Sequence, residues 1–118
     1  MGIRSDVVLA IISKHIENAP EFVKEKLNSA DDIKQFKKET VGEYHLYCWD
    51  YEKWDIYDET MILFNNWLES LPRWFEIDDL SLFDNKPYQL IVYTAEIEEI
   101  ICLGSIDFGL SVGIQHNP

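Results

Sequence analysis

The chain is poor in the residues that mark most chemistries. It has only two cysteines, Cys48 and Cys102, and no CxxC pair, so neither a disulfide framework nor a thiolate zinc site is expected. Both lie in apolar, strand-like contexts and read as buried free thiols. The three histidines, His15, His45 and His116, are scattered without HxxxH or HExxH spacing, and no metal or cofactor is expected. Glycine is scarce, and Gly104, Gly109 and Gly113 fall around a strand, not in a strand-to-helix loop that cradles phosphate. No Ser sits in a Gly-x-Ser-x-Gly turn, and Cys48 and His45 are an odd number of strand positions apart, so their side chains diverge. An enzyme is therefore not expected. Long hydrophobic runs are missing as well. Val7 to Ile12 is far too short for a membrane span or a signal core, and Asp6 occupies the position where N-myristoylation wants Ser or Thr, so cytoplasm is the expected compartment.

Basic residues are few beside acidic ones. Ten Lys and Arg face 22 Asp and Glu, a formal net charge of −12. The imbalance is not uniform: residues 1–41 hold seven basic and seven acidic side chains, whereas residues 42–118 hold three basic and fifteen acidic ones. Such a surface repels nucleic acid and anionic membrane and steers in a basic partner.

What is present is enough for one domain. The chain is 118 residues long and 47% hydrophobic, which suffices for a single two-layer core over residues 1–118. Asp6 to Ile12 reads as a buried strand, β-branched and continuous. Asn18-Ala19-Pro20 predicts a helix start, with Phe22, Val23 and Leu27 inward. Ser29 onward predicts a second helical piece in which Ile33 and Phe36 share a face, closed by Gly42. From Tyr44 a strand alternates, with Tyr44, Leu46 and Cys48 on one face and His45, Tyr47 and Trp49 on the other. Asp58 is the expected N-cap of a helix over Glu59 to Ser70, with Met61, Phe64 and Leu68 inward and Pro72 as its stop. Short pieces are expected at Trp74–Ile77 and Leu80–Phe83, then a strand over Tyr88–Thr94. Ala95–Ile101 fits either a short helix or a hairpin arm. A last strand over about 106–114 carries Gly109, Ser111 and Gly113 on one face, small enough for a neighbour's close approach. The order β-α-β-α-β-β predicts an α+β two-layer sandwich: a four- to five-stranded sheet with two main helices on one face, a variant of the ferredoxin-like plan.

The stretch Glu43 to Asp58 is the most distinctive. Six of its residues are aromatic and five acidic, against one Lys53. Carboxylates engage the arginines and lysines that normally hold phosphate, while rings supply contact area, so this mixture suits a protein-binding face. The candidate contacts are Trp49, Asp50, Tyr51, Glu52, Trp54, Asp55, Tyr57 and Asp58, extended by Asp78 and Asp79 and by Glu96, Glu98 and Glu99.

The opening Gly2-Ile3-Arg4-Ser5-Asp6-Val7-Val8-Leu9-Ala10 resembles that of small uncharacterised proteins encoded by bacteriophages and prophages. Cys48-Trp49-Asp50-Tyr51-Glu52-Lys53-Trp54-Asp55 before the Glu59 helix is similar to their second strand with its acidic, aromatic end. Glu96-Ile97-Glu98-Glu99 is similar to their late acidic segment; Trp74–Pro87 departs from the pattern. The resemblance implies phage origin and an α+β fold, and no activity. Together with the charge, the expectation is a small acidic inhibitor acting in the bacterial host. It would occupy a basic nucleic-acid-binding surface on a nuclease or CRISPR effector, as a DNA mimic or steric block, and work as a monomer or homodimer. An immunity protein against a basic nuclease toxin is the nearest alternative, and a small enzyme with a carboxylate-based site the more distant one.

Overall fold

The computed structural model describes residues 4–38, 42–54, 57–72 and 86–104. Among these, strand β1 (Ser5–Ile12) leads into helix α1 (Ser13–Glu17) and helix α2 (Glu21–Asn28). Strands β2 (Asp32–Lys38) and β3 (Gly42–Glu52), helix α3 (Glu59–Ser70), strand β4 (Tyr88–Thr94), a 3-10 turn (Ala95–Ile97) and strand β5 (Glu99–Gly104) follow.

The five strands form one sheet in the order β2-β3-β1-β4-β5, with every neighbouring pair antiparallel. It follows that β1 and β2 run the same way with β3 between them, and that β3 and β4 run the same way with β1 between them. Two split β-α-β units are thus interleaved, the ferredoxin-like plan, and β5 is appended to β4 as a hairpin. β1 lies at the centre, and Val7 to Ile12 are buried on both faces, which accounts for their unbroken apolar run.

The helices pack on one face. Val7, Leu9 and Ile11 of β1, Tyr47 and Trp49 of β3, and Tyr88, Leu90 and Val92 of β4 meet Val23 and Leu27 of α2 and Met61, Phe64 and Leu68 of α3. Full burial of Phe64 and Leu68 contributes about 1.5–3 kcal/mol each. α3 starts and stops as its sequence dictates: Asp58 Oδ2 accepts the Thr60 N–H at 3.1 Å, and Leu71, just before Pro72, leaves the helix in extended backbone. The other sheet face is apolar too, with Val8, Ala10, Ile12, Tyr44 and Ile91 buried.

Four expectations change. The second helical piece is strand β2: Ile33 and Phe36 point to opposite faces, and Phe36 stacks on Tyr44 at 5.6 Å. The ladder offered by the eleven-residue β3 outweighs the weak helix propensity of a lysine-rich segment. Asn18 does not cap α2; it closes α1, with its Nδ2 donating to the Lys14 carbonyl at 3.4 Å, and Pro20 precedes α2 with no side-chain cap. Gly42 opens β3 instead of ending a helix. Of the thiols, Cys48 is half-buried and Cys102 is exposed on β5. Ala95–Ile101 resolves as a turn and a hairpin arm. The segments expected at 74–77, 80–83 and 106–114 lie outside the described residues.

Candidate functional site

An antiparallel sheet brings alternate strand ends together. The starts of β1, β2 and β5 and the ends of β3 and β4 share one end of this sheet. They carry Asp6, Asp32 and Glu99, then Asp50 and Glu52, with Asp31 before β2, Asp58 before α3, and Glu96 and Glu98 in the turn from β4 to β5. Among the described residues Arg4, Lys26, Lys34 and Lys53 are the cations on the same side, and carboxylates outnumber them. Four strand spacings of about 4.8 Å make this acidic rim about 19 Å wide. The thiol of Cys48, opposite Asp32 in the ladder, registers the field. Burial pushes its pKa up, the Asp32 and Asp50 carboxylates push it further, and Lys34 opposes them.

The rim has a built feature at its centre. β1 and β3 are in register at Val7↔Trp49 and again at Ser5↔Glu52, so Asp50 and Tyr51 together oppose Asp6 in a β-bulge. Tyr51 takes φ +53°, a left-handed conformation that costs a non-glycine residue about 1–2 kcal/mol. Carboxylates hold it there: Asp6 Oδ1 accepts the Tyr51 N–H at 2.9 Å, and Asp31 Oδ2 accepts the Asp50 N–H at 2.7 Å. The Asp31 N–H in turn donates to the Cys48 carbonyl at 2.8 Å. The bulge turns the Tyr51 ring outward, 70% exposed, with the Arg4 guanidinium 6.0 Å from its centroid. No family model, curated protein or solved structure matches the chain.

The structure divides the residues expected to bind a partner. Trp49 and Trp54 are core, and this corrects their assignment as contacts. Strand alternation turns Trp49 under the helices, where its Nε1 donates to Ser29 Oγ at 3.1 Å. Trp54 lies against Trp49 with centroids 5.0 Å apart and edge-on to Phe64 at 6.1 Å, and Lys26 Nζ stands 4.8 Å above it. Glu52 is engaged by the same Lys26 at 3.3 Å, whose ammonium stands over both tryptophan rings. Asp50, Tyr51, Tyr57, Asp58, Glu96, Glu98 and Glu99 are exposed, with Tyr57 at 84%. Asp55, Asp78 and Asp79 lie outside the described residues.

Asp6, Asp31 and Asp32, absent from the sequence-based set, join the rim. The signal was an acidic residue at the start of a strand, which becomes informative only when the strand order is known. Among the described residues no group of three or more His, Cys, Asp or Glu is placed to hold a metal ion. No helix there is long and apolar enough to cross a membrane.

Proposed function

We propose that this protein is a small acidic inhibitor, phage-borne, that covers a basic nucleic-acid-binding surface of a bacterial defence protein such as a CRISPR effector or restriction nuclease. The observation that supports it is the Tyr51 bulge at the centre of the acidic rim. An exposed ring held in a costly backbone conformation by two carboxylates is a preorganised anchor, and the surrounding charge complements arginines and lysines that grip phosphate. Tyr51 and Tyr57 supply the ring contacts in place of the tryptophans.

The test is capture of host proteins by the wild-type chain and by an Asp50→Lys, Glu96→Lys variant at about 0.05 M and about 0.5 M salt, where exposed charges are respectively weakly and strongly screened. Both replaced side chains are exposed, so circular dichroism should be unchanged. A nucleic-acid-handling protein retained by the wild type at low salt, displaced by DNA and not retained by the variant supports the reading. Each desolvated charge pair lost should cost about 2–5 kcal/mol. Equal retention by both proteins defeats it.

A further inference from the structure

We propose that Ser13 is a nucleophile activated by His45, at the end of the sheet opposite the acidic rim, in a cleft that takes small esters. This site is independent of the protein-binding reading, and either can fail without the other.

Three elements build it. Ser13 is the first residue after β1, His45 lies on β3 opposite Ile11, and Gln35 lies on β2 opposite His45. Ser13 Oγ is 2.9 Å from His45 Nδ1, and Gln35 Nε2 is 3.0 Å from His45 Nε2. The imidazole stacks on Tyr47 with centroids 6.1 Å apart and planes 18° from parallel, which fixes its plane. A neutral imidazole has one N–H and one lone pair. A half-turn of the exposed Gln35 amide brings its oxygen to Nε2, which then donates its N–H and leaves the Nδ1 lone pair for the Ser13 O–H. That is a nucleophile, a base and an orienting amide in line.

The array opens into a cavity of about 430 Å³, large enough for a small ligand. Glu17, Gln35, Lys37 and Glu43 line it beside Ser13 and His45 and offer a polar seat for a short ester; strand alternation puts the stacked rings of Phe36 and Tyr44 on the opposite face of the sheet. In the proposed step Ser13 Oγ bonds to the ester carbonyl carbon as its proton passes to His45 Nδ1. The imidazolium gives that proton to the alcohol oxygen as the C–O bond breaks. Water then attacks the acyl-Ser13 by the same route, releasing the carboxylic acid and restoring the hydroxyl. His45 is the catalytic base and Gln35 a positioning residue.

An alkyl fluorophosphonate tests this on the full chain, because a nucleophilic serine displaces fluoride and keeps the phosphonyl group. Intact mass and peptide mapping should show one adduct, on Ser13, absent from Ser13→Ala. His45→Ala and His45→Gln should each slow labelling by about 100-fold or more. Circular dichroism confirms that both variants are folded. Gln35→Ala should move the pH midpoint of labelling; the charged and titratable groups that face the array are Glu17, Lys37 and Glu43 in the cleft and Tyr47 against the ring. A wild-type rate no greater than that of Ser13→Ala overturns the proposal, as does undiminished labelling in a folded His45 variant. An unmoved midpoint in Gln35→Ala removes Gln35 from the mechanism.

Discussion

The bond between Ser5 and Thr94 gives the fold a quantitative test close to the acidic rim. Ser5 Oγ and Thr94 Oγ1 are 2.6 Å apart, and both residues are buried, at 5% and 6% exposure. They tie the start of β1 to the end of β4. Ser5→Ala leaves the Thr94 hydroxyl buried without this partner, and Thr94→Val does the same to Ser5 at nearly constant volume. Each should therefore lower stability by about 1–3 kcal/mol, the desolvation cost of an unmet buried hydroxyl. In the double variant neither hydroxyl remains, so it should lose no more than the worse single, a coupling of about 1–3 kcal/mol. Urea denaturation reads this as a shift in midpoint at constant slope, and thermal melts as about 3–6 °C per kcal/mol for a chain of this size. Ser5 adjoins Asp6, whose carboxylate holds the Tyr51 N–H, so exchange of that amide should quicken in both singles. Singles that simply add to within about 0.5 kcal/mol would refute the argument.

Three further outcomes follow from named residues. Gly104→Ala should cost more than Gly42→Ala in the same denaturation assay. Both glycines have positive φ, worth about 1–2 kcal/mol to any L residue, but only at Gly104 would a Cβ collide with the Tyr88 carbonyl oxygen. Iodoacetamide should modify exposed Cys102 well before Cys48, whose thiol is half-buried and pushed up by burial and two carboxylates; equal rates by mass spectrometry would contradict the placement of Cys48. Burial raises the pKa of Tyr44 and Tyr47 above 10.0. The unfolded chain then loses those protons first, so their contribution is fully present below pH 10.0 and declines above it. Tyr47→Phe should flatten that decline in urea midpoints measured across alkaline pH.

The parts of the fold that were legible in the sequence are those with one strongly periodic buried face. β1 announces itself by a continuous apolar run, β3 by alternation and α3 by its cap and its Met61, Phe64, Leu68 stripe. β2 does not, because Asp31 to Lys37 are exposed and no buried face leaves a period to read. What makes it a strand is the ladder on β3, a partner supplied by the fold. The candidate site divides on the same line. Alternation grouped Trp49 with Tyr47 and His45, yet nothing local says which side of a strand the helices will cover. Trp54 follows β3, and its burial comes from Lys26 on α2, remote in the chain, and from Phe64 on α3, a helix whose docking on the sheet local sequence does not fix. Asp50 and Tyr51 were legible as residues but not as a bulge, since that needs the register with β1.

The acidic rim also fixes how salt must act, with opposite signs on two measurable quantities. Its carboxylates come from stretches separated by tens of residues, so in the unfolded chain they are far apart. Folding brings them within about 19 Å of one another. At about 0.01 M salt the screening length is about 30 Å and the whole rim repels itself; at about 0.15 M it falls to about 8 Å and only neighbouring strands feel each other. Rising salt should therefore stabilise the isolated protein, seen as a higher melting temperature between those limits; sodium chloride isolates the screening, whereas sulfate would add stabilisation through its exclusion from the protein surface. The same screening weakens attraction to a basic partner, so affinity should fall over the same range. Asp50→Lys with Glu96→Lys should flatten both trends together. A partner whose affinity ignores salt while the melting temperature climbs would place its contact away from the rim, on the sheet, and separate the charge of this surface from its use.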